Sequence, residues 1–319
     1  HHRHGFSESI QPSGPFHSDV AQIKNFGDEI WLAHGAKNEN WDPAWIGGEL
    51  SILKTDDWSL SNDLIAQEFG DVVALNQNAG VTYAASWQDG IAKMNGTEIE
   101  VIYNETNSSL QKRAVYDDWM EIGDIQFDRE GNMWCTNSQT FEPLSVLYSN
   151  GEWASFSLGS GVTEHQDIAK MLIDENDQKW IQLKNNGIVV FDEKRSGTNV
   201  RKLTSGESAG NLASERVFSF AEDLNGEIWV GTDNGVSVFY NPEDIFEGEK
   251  ASKIMVTLDN HNTYLLDGQQ VNDIEIDGAN RKWFAMNNSG VIVTSENGGQ
   301  ELHHFTSENS PLFSNKVLD

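Results

Sequence analysis

VFSFAEDLNGEIWVGTDNGVSVFY, residues 217–240, reads as three short strands joined by two tight turns. Val217, Ser219 and Ala221 alternate with Phe218, Phe220 and Glu222, the period of two that a strand imposes. Asp223-Leu224-Asn225-Gly226 is a turn, because Asx side chains bond nearby backbone amides and Gly accepts positive φ. Residues 227–231 form the next strand, Asp233-Asn234-Gly235 turns the chain again, and 236–240 is the third strand. A fourth is expected after a longer connection, at 253–258 here and at 153–158, 99–103 and 301–305 elsewhere.

The same phrase recurs at 271–293, and in weaker form at 122–137, 168–191, 71–94 and 20–35. Trp31, Trp87, Trp134, Trp180, Trp229 and Trp283 anchor the copies, at spacings of 56, 47, 46, 49 and 54 residues. Repeats of this length, each with four short strands, predict an all-β fold: a β-propeller of four-stranded antiparallel blades. An isolated blade leaves both faces wet, so each Trp is expected to fill the gap to a neighbouring blade.

The ends extend the pattern. Residues 6–10 read as a fourth strand, and Lys316-Val317-Leu318-Asp319 as the start of a first strand. The expected count is therefore seven blades with the last incomplete: a closing strand and lead-in over 1–19, six blades over 20–304, and the start of a truncated seventh over 305–319. On this reading the chain is a fragment of a longer protein, and its open edges leave it less stable alone. His1-His2-Arg3-His4 reads as the trace of a tag or as native sequence cut from that parent.

With 21 basic and 50 acidic residues the formal net charge is −29, which repels phosphate backbones and excludes general nucleic-acid binding. Cys135 is the single cysteine, expected as a small buried apolar residue, so no internal disulfide forms. No apolar run approaches the length of a membrane span, and no signal peptide is apparent.

Catalytic and metal motifs are missing: no HExxH, GxSxG or P-loop, and the few histidines are dispersed. His303 and His304, adjacent on a strand, point to opposite faces. Asp223-Leu224-Asn225-Gly226 and Asp174-Glu175-Asn176-Asp177 lack the spaced ligands and closing Glu of a calcium loop and read as hairpin turns. The expectation is no enzyme, no cofactor and no metal. Two regions are candidate ligand or partner contacts. The insertion 35–48, between the second and third strands of the first blade, carries Trp41 and Trp45 in a polar, Gly-containing loop. Lys179, Lys184, Lys194, Arg195, Arg201 and Lys202 gather six of the 21 basic residues.

Asp223, Gly226, Trp229, Gly231, Thr232 and Gly235 make a phrase that resembles the two-component-regulator propeller repeat, found in the periplasmic sensors of Bacteroidetes hybrid histidine kinases. A narrower likeness rests on Pro12-Ser13-Gly14-Pro15, Ser86-Trp87-Gln88-Asp89-Gly90-Ile91, 103–110, 127–134, Pro143-Leu144, Gly151-Glu152-Trp153 and 305–312. Together these phrases resemble a propeller of the PorZ family, surface components of the Bacteroidetes type IX secretion system. The resemblance implies a non-catalytic adaptor at the periplasm or outer cell surface, within an attachment complex with a sortase of cysteine-protease type. It also implies presentation of anionic lipopolysaccharide, with which a charge of −29 sits awkwardly. The alternative is the oligosaccharide-sensing propeller of a hybrid kinase. A propeller lyase, which needs a metal and a general-base His near the axis, is the third.

Overall fold

The structure, a computed structural model, describes residues 14–319 apart from 18, 39, 62, 116–118, 259 and 260. Blade 1 is β1 (Val20–Phe26), β2 (Glu29–His34), β3 (Glu49–Lys54) and β4 (Asp57–Ser61). A short helix, α1 (Asp63–Ala66), leads to blade 2: β5 (Val72–Asn78), β6 (Val81–Ser86), β7 (Gly90–Asn95) and β8 (Glu98–Tyr103). Blade 3 is β9 (Ile122–Phe127), β10 (Met133–Asn137), β11 (Leu144–Leu147) and β12 (Trp153–Phe156). Blade 4 is β13 (Ile168–Ile173), β14 (Lys179–Leu183), β15 (Ile188–Phe191) and β16 (Val200–Leu203). Blade 5 has three strands, β17 (Val217–Glu222), β18 (Ile228–Thr232) and β19 (Gly235–Phe239). A hairpin, β20 (Met255–Leu258) and β21 (His261–Tyr264), precedes blade 6: β22 (Val271–Ile276), β23 (Lys282–Met286), β24 (Val291–Thr294) and β25 (Glu301–Phe305). Every sheet is an antiparallel meander.

First strands pack on one another in series, β1 on β5, β5 on β9, and so on to β22, which sets them around a common axis. Close approach is required there: a Cβ on Gly123 would lie 2.5 Å from the Ala169 Cα of the next blade. Five apolar clusters fill the five interfaces between successive blades. Trp87, Trp134, Trp180 and Trp229 are fully buried and Trp31 is nearly so. A buried indole removes on the order of 200 Å² from water, worth about 5 kcal/mol before chain entropy is set against it. Cys135 is buried as expected, and burial pushes its thiol far above the ordinary range.

Turn aspartates hold the anchors in place. In blades 3 to 6 the Trp134, Trp180, Trp229 and Trp283 indole N–H groups donate to Asp128, Asp174, Asp223 and Asp277 at 2.9, 2.9, 3.3 and 2.9 Å. The other oxygen of each carboxylate accepts two backbone N–H groups of its turn, as Asp223 does from Asn225 and Glu227. Residues 174–177 and 223–226 are thus capped hairpin turns, as read from the sequence. Blade 2 departs from the pattern: Tyr83, three residues after Gly80, takes the anchor's place and meets Phe127 of blade 3 edge-on at 5.4 Å. Trp87 instead lies beyond the end of β6.

Two expectations are corrected. Residues 253–258 do not supply a fourth strand to blade 5. A 3-10 helix (Pro242–Glu247), ended by Gly248 in the left-handed region, redirects the chain. Met255–Leu258 then pairs with β21, and only the Val238–Ser252 bridge meets the β19 edge. Secondly, six blades form among the described residues, not seven. After β25 the chain makes turns and one extended tail, which has no partner strands with which to build a sheet. The expected closing strand at 6–10 lies outside the described residues. The tail nevertheless follows the blade-to-blade pattern. Gly187 and Gly235 donate to the carbonyls of Glu215 and Gln269, each two residues ahead of the next first strand, at 2.9 and 2.8 Å. Gly290 donates likewise to Asn315 at 2.8 Å, and Asn272 Nδ2 reaches the Val317 carbonyl at 2.6 Å. Among the described residues, β1 and β22 are not packed as successive first strands are elsewhere; the tail meets β1 instead, its Asp319 carboxyl taking a backbone bond from Ile23. Trp283, on the unpacked side, is correspondingly only half-buried and stacks on Phe305 of its own blade.

Candidate functional site

Turns between second and third strands, and the connections between blades, lie on one face, called upper here. The insertion 35–48 belongs to it. Asn38 organises the insertion as an Asx turn, its Oδ1 accepting the N–H groups of Asn40 and Asp42 at 2.8 and 3.0 Å. Both tryptophans adopt left-handed backbone, Trp41 at φ 71° and Trp45 at φ 62°, a region uncommon for bulky residues.

Trp41 is held inward. Its carbonyl accepts the Trp87 indole N–H at 2.5 Å, and the two rings meet edge-on at 6.0 Å. Lys37 Nζ lies 3.9 Å from the Trp41 ring centre and 4.4 Å from that of Trp87. From blade 4, Lys184 Nζ lies 5.3 Å from the Trp41 ring, donates to the Asn40 carbonyl and pairs with Asp167 at 3.0 Å. Cations therefore attend the Trp41 ring, which opposes its use as a sugar-stacking surface. Beneath lies a channel cavity of about 300 Å³, lined among others by Lys37, Trp41, Asp124, Lys170 and Asp319. Across the axis, Lys170 pairs with Asp273 at 3.0 Å.

Titration here is displaced towards neutrality. Burial, with help from the Lys170 charge, lowers the Lys37 ammonium to about 7. Burial raises the Glu121 carboxyl to about 8 despite Arg113 Nη1 at 3.4 Å, and raises Asp124 too. Glu121 is fully buried, and neither of its carboxylate oxygens receives a well-formed hydrogen bond.

Trp45 faces outward and is 67% exposed. Buried Asp71 fixes its backbone, accepting the N–H groups of Trp45 and Ile46 at 2.8 and 3.0 Å. The Trp45 ring meets Trp119 edge-on at 5.6 Å, with the Arg113 guanidinium 5.2 Å from the Trp119 ring. Asp71→Ala is expected to lower stability by about 2 kcal/mol, since bonds to a charged acceptor are lost. It should also increase acrylamide quenching of Trp emission as the loop relaxes. Unchanged quenching would show that Asp71 does not hold the loop.

The basic candidates do not form one patch, because alternation along the blade 4 strands disperses them. Lys179 is fully buried between blades 3 and 4, bonded to Asp177 and 4.2 Å from the Trp134 ring. Lys194 is exposed and pairs with Glu130 and Asp177 at 2.7 and 3.0 Å. Arg195 pairs with Glu247 at 2.5 Å. Arg201 is half-buried, its Nη1 unpartnered and its guanidinium lowered by burial. Lys202 donates to Asn186 at 2.7 Å beside a shallow cleft. Of the eight candidates, only Trp41 and Lys184 are seen to meet across the channel mouth. Trp119, Lys37, Asp71 and Glu121 were not singled out by sequence. The available signal was a Trp at 119 outside the anchor spacing and an Asp opening a first strand at 71. Among the described residues no three His, Cys, Asp or Glu side chains converge as a metal site requires, and no helix is long and apolar enough to cross a membrane.

No protein-family model matches the chain, and no curated protein matches it by sequence. Solved structures do. PorZ, an essential surface component of the type IX secretion system of Porphyromonas gingivalis, superposes over 98% of this chain with a TM-score of 0.84 at 21% identity. The chain spans 45% of the length of PorZ. Virginiamycin B lyase of Staphylococcus aureus gives a TM-score of 0.58 at 12% identity, covering 89% of this chain and 84% of the lyase. The extracellular domain of a hybrid two-component system from B. thetaiotaomicron, 15% identical, covers 94% of this chain and 47% of its own with a TM-score of only 0.39, too low to bear on the argument. The chain is thus a β-propeller sharing its fold with PorZ.

Proposed function

We infer that this propeller is a non-catalytic adaptor of a type IX secretion attachment complex, exported to the periplasm or outer surface of a Gram-negative bacterium. The observation that carries the reading is the near-complete superposition on PorZ, at a TM-score of 0.84 against 0.58 for the lyase. A stack of rigid blades with a buried indole at most interfaces suits docking rather than chemistry. The partners proposed are the sortase and its companion subunits, with anionic lipopolysaccharide as a further ligand. Against a charge of −29, a glycolipid contact would have to be local, and Lys184 at the channel mouth is the nearest candidate cation.

The test is capture. Immobilised protein, incubated under native conditions with solubilised outer membranes of a type IX-secreting bacterium, should retain the sortase. Recovery no greater than on a blank matrix would defeat the adaptor reading.

A further inference from the structure

We propose that the upper face over blades 1 to 3 is a protein-docking strip centred on Trp45, whose occupant is a partner segment presenting an apolar side chain flanked by lysine or arginine. The proposal rests on the adaptor reading and names the surface that would serve it.

The strip is continuous although three blades contribute to it. Trp45 (67% exposed), Ile65 on α1 (41%) and Phe141 in the β10–β11 turn (65%) are apolar groups left uncovered by the blades among the described residues. Trp45 and Ile65 wall the same cleft of about 160 Å³. Trp45 abuts Trp119, Trp119 abuts Arg113, and Arg113 Nε donates to Gln139 Oε1 at 3.2 Å. The Ala114 N–H then donates to the Gln139 carbonyl at 2.9 Å, two residues before Phe141. Exposed apolar groups joined in this way mark an interaction surface more often than isolated ones do.

Trp45 is displayed rather than merely left outside. Its left-handed backbone is unfavourable for a bulky residue, and a fully buried carboxylate is committed to maintaining it. Packing against the blade would not require that arrangement, because it leaves two-thirds of the side chain in water. Large rigid indoles presented in this way are the usual anchors of protein interfaces.

Charge selects the occupant. Cations along the strip already have carboxylate partners: Arg113 with Glu121 and Asp42 at 3.4 and 3.8 Å, and Lys112 with Glu105 at 2.9 Å. Glu68 and Glu142 stand exposed at its two ends, and Glu142 receives bonds from the neutral Gln111 and Ser155. An apolar strip with acidic ends, on a chain of charge −29, matches an apolar anchor between basic residues and repels acidic partners.

The experiment presents the whole chain, fluorescently labelled, to immobilised nonapeptides with a central isoleucine flanked by lysine, serine or glutamate. Lysine-flanked peptides should retain roughly tenfold more protein than serine-flanked ones, and glutamate-flanked ones almost none. Trp45→Ala, at an exposed position and with an unchanged unfolding midpoint, should lose about tenfold or more of that retention. Glu68→Gln with Glu142→Gln should remove the preference for lysine over serine. Equal retention on lysine and glutamate peptides, retention on none, or an unaffected Trp45→Ala variant would each overturn the proposal. So would tighter binding to maltohexaose than to every peptide. Sortase capture run in parallel separates the two readings: capture that survives failure of the peptide arm sinks this surface alone. Peptide binding without capture leaves the surface standing and sinks the adaptor.

Discussion

Lys282→Met is expected to destabilise the propeller by about 3–5 kcal/mol, the cost of stranding a buried charge. Lys282 Nζ lies 2.8 Å from Asp223 Oδ2 and 2.9 Å from the Asn280 carbonyl, and both side chains of the pair are fully buried. The ammonium also sits 4.8 Å from the Trp229 ring, so one group ties together the turn aspartate, the anchor indole and blade 6. Without it, the carboxylate remains at the interface of blades 5 and 6 with turn amides and the indole N–H as its main donors. Lys179 opens β14 as Lys282 opens β23, and supplies the control. Its partner Asp177 is 20% exposed and has Lys194 as a second cation, so Lys179→Met should cost nearer 1 kcal/mol. Urea unfolding of the two variants checks the contrast, and equal losses would refute it. Acid adds a sign. Burial alone would raise Asp223, but bonds from Lys282 and the turn amides outweigh it and hold the group below its ordinary value. Its contribution is therefore present above the usual carboxylate range and is lost as pH falls through the lower folded value, in wild type but not in Asp223→Asn.

Glu121→Gln should act in the opposite direction and in a different window. A carboxyl raised to about 8 in the folded chain keeps its proton between pH 5 and 7, where the unfolded chain has lost it. The unfolded state then binds fewer protons, so stability falls as pH rises, by on the order of 3 kcal/mol across those two units. Above pH 7 the lowered Lys37 contributes with the reverse sign, since the folded chain releases a proton that the unfolded chain keeps, and the two slopes offset. The variant cannot ionise there. Near pH 5 it should match wild type within about 1 kcal/mol, and by pH 7 it should be the more stable protein. Denaturant midpoints of both proteins at pH 5, 6 and 7 give the difference curve, and parallel lines would show that Glu121 is ionised throughout.

The blade was legible because its determinants are local. Asp223, Gly226 and Trp229 lie within seven residues, and turn chemistry, anchor and strand period all agree there. The fourth strand of blade 5 was misplaced because its departure depends on how 242–248 packs, which strand propensity does not reveal. Trp87 was read as an anchor because an indole falls near the right spacing, whereas Tyr83 holds that place and Trp87 serves the mouth. Lys179 and Lys202 look like neighbours in a list of cations, yet one is sealed between blades and the other lies beside an open cleft. The meeting of Trp41 and Lys184, from blades 1 and 4, arises only when the sheets stand around an axis. Both loop tryptophans looked alike in sequence. Backbone bonds to Asp71 and Trp87 turn one outward and the other inward.

Among the described residues, blades 6 and 1 are joined through the tail and its Asp319 bond to Ile23 rather than by sheet packed on sheet, and this has a mechanical meaning. A complete hoop resists any change of bore, because widening it strains every joint at once, whereas a split washer opens by small pivots shared among its segments. Drawing the tail away from β1 would alter the bore where Lys37, Lys170 and Asp319 stand. Through the β2–β3 loop of the neighbouring blade it would also tilt the platform that carries Trp45.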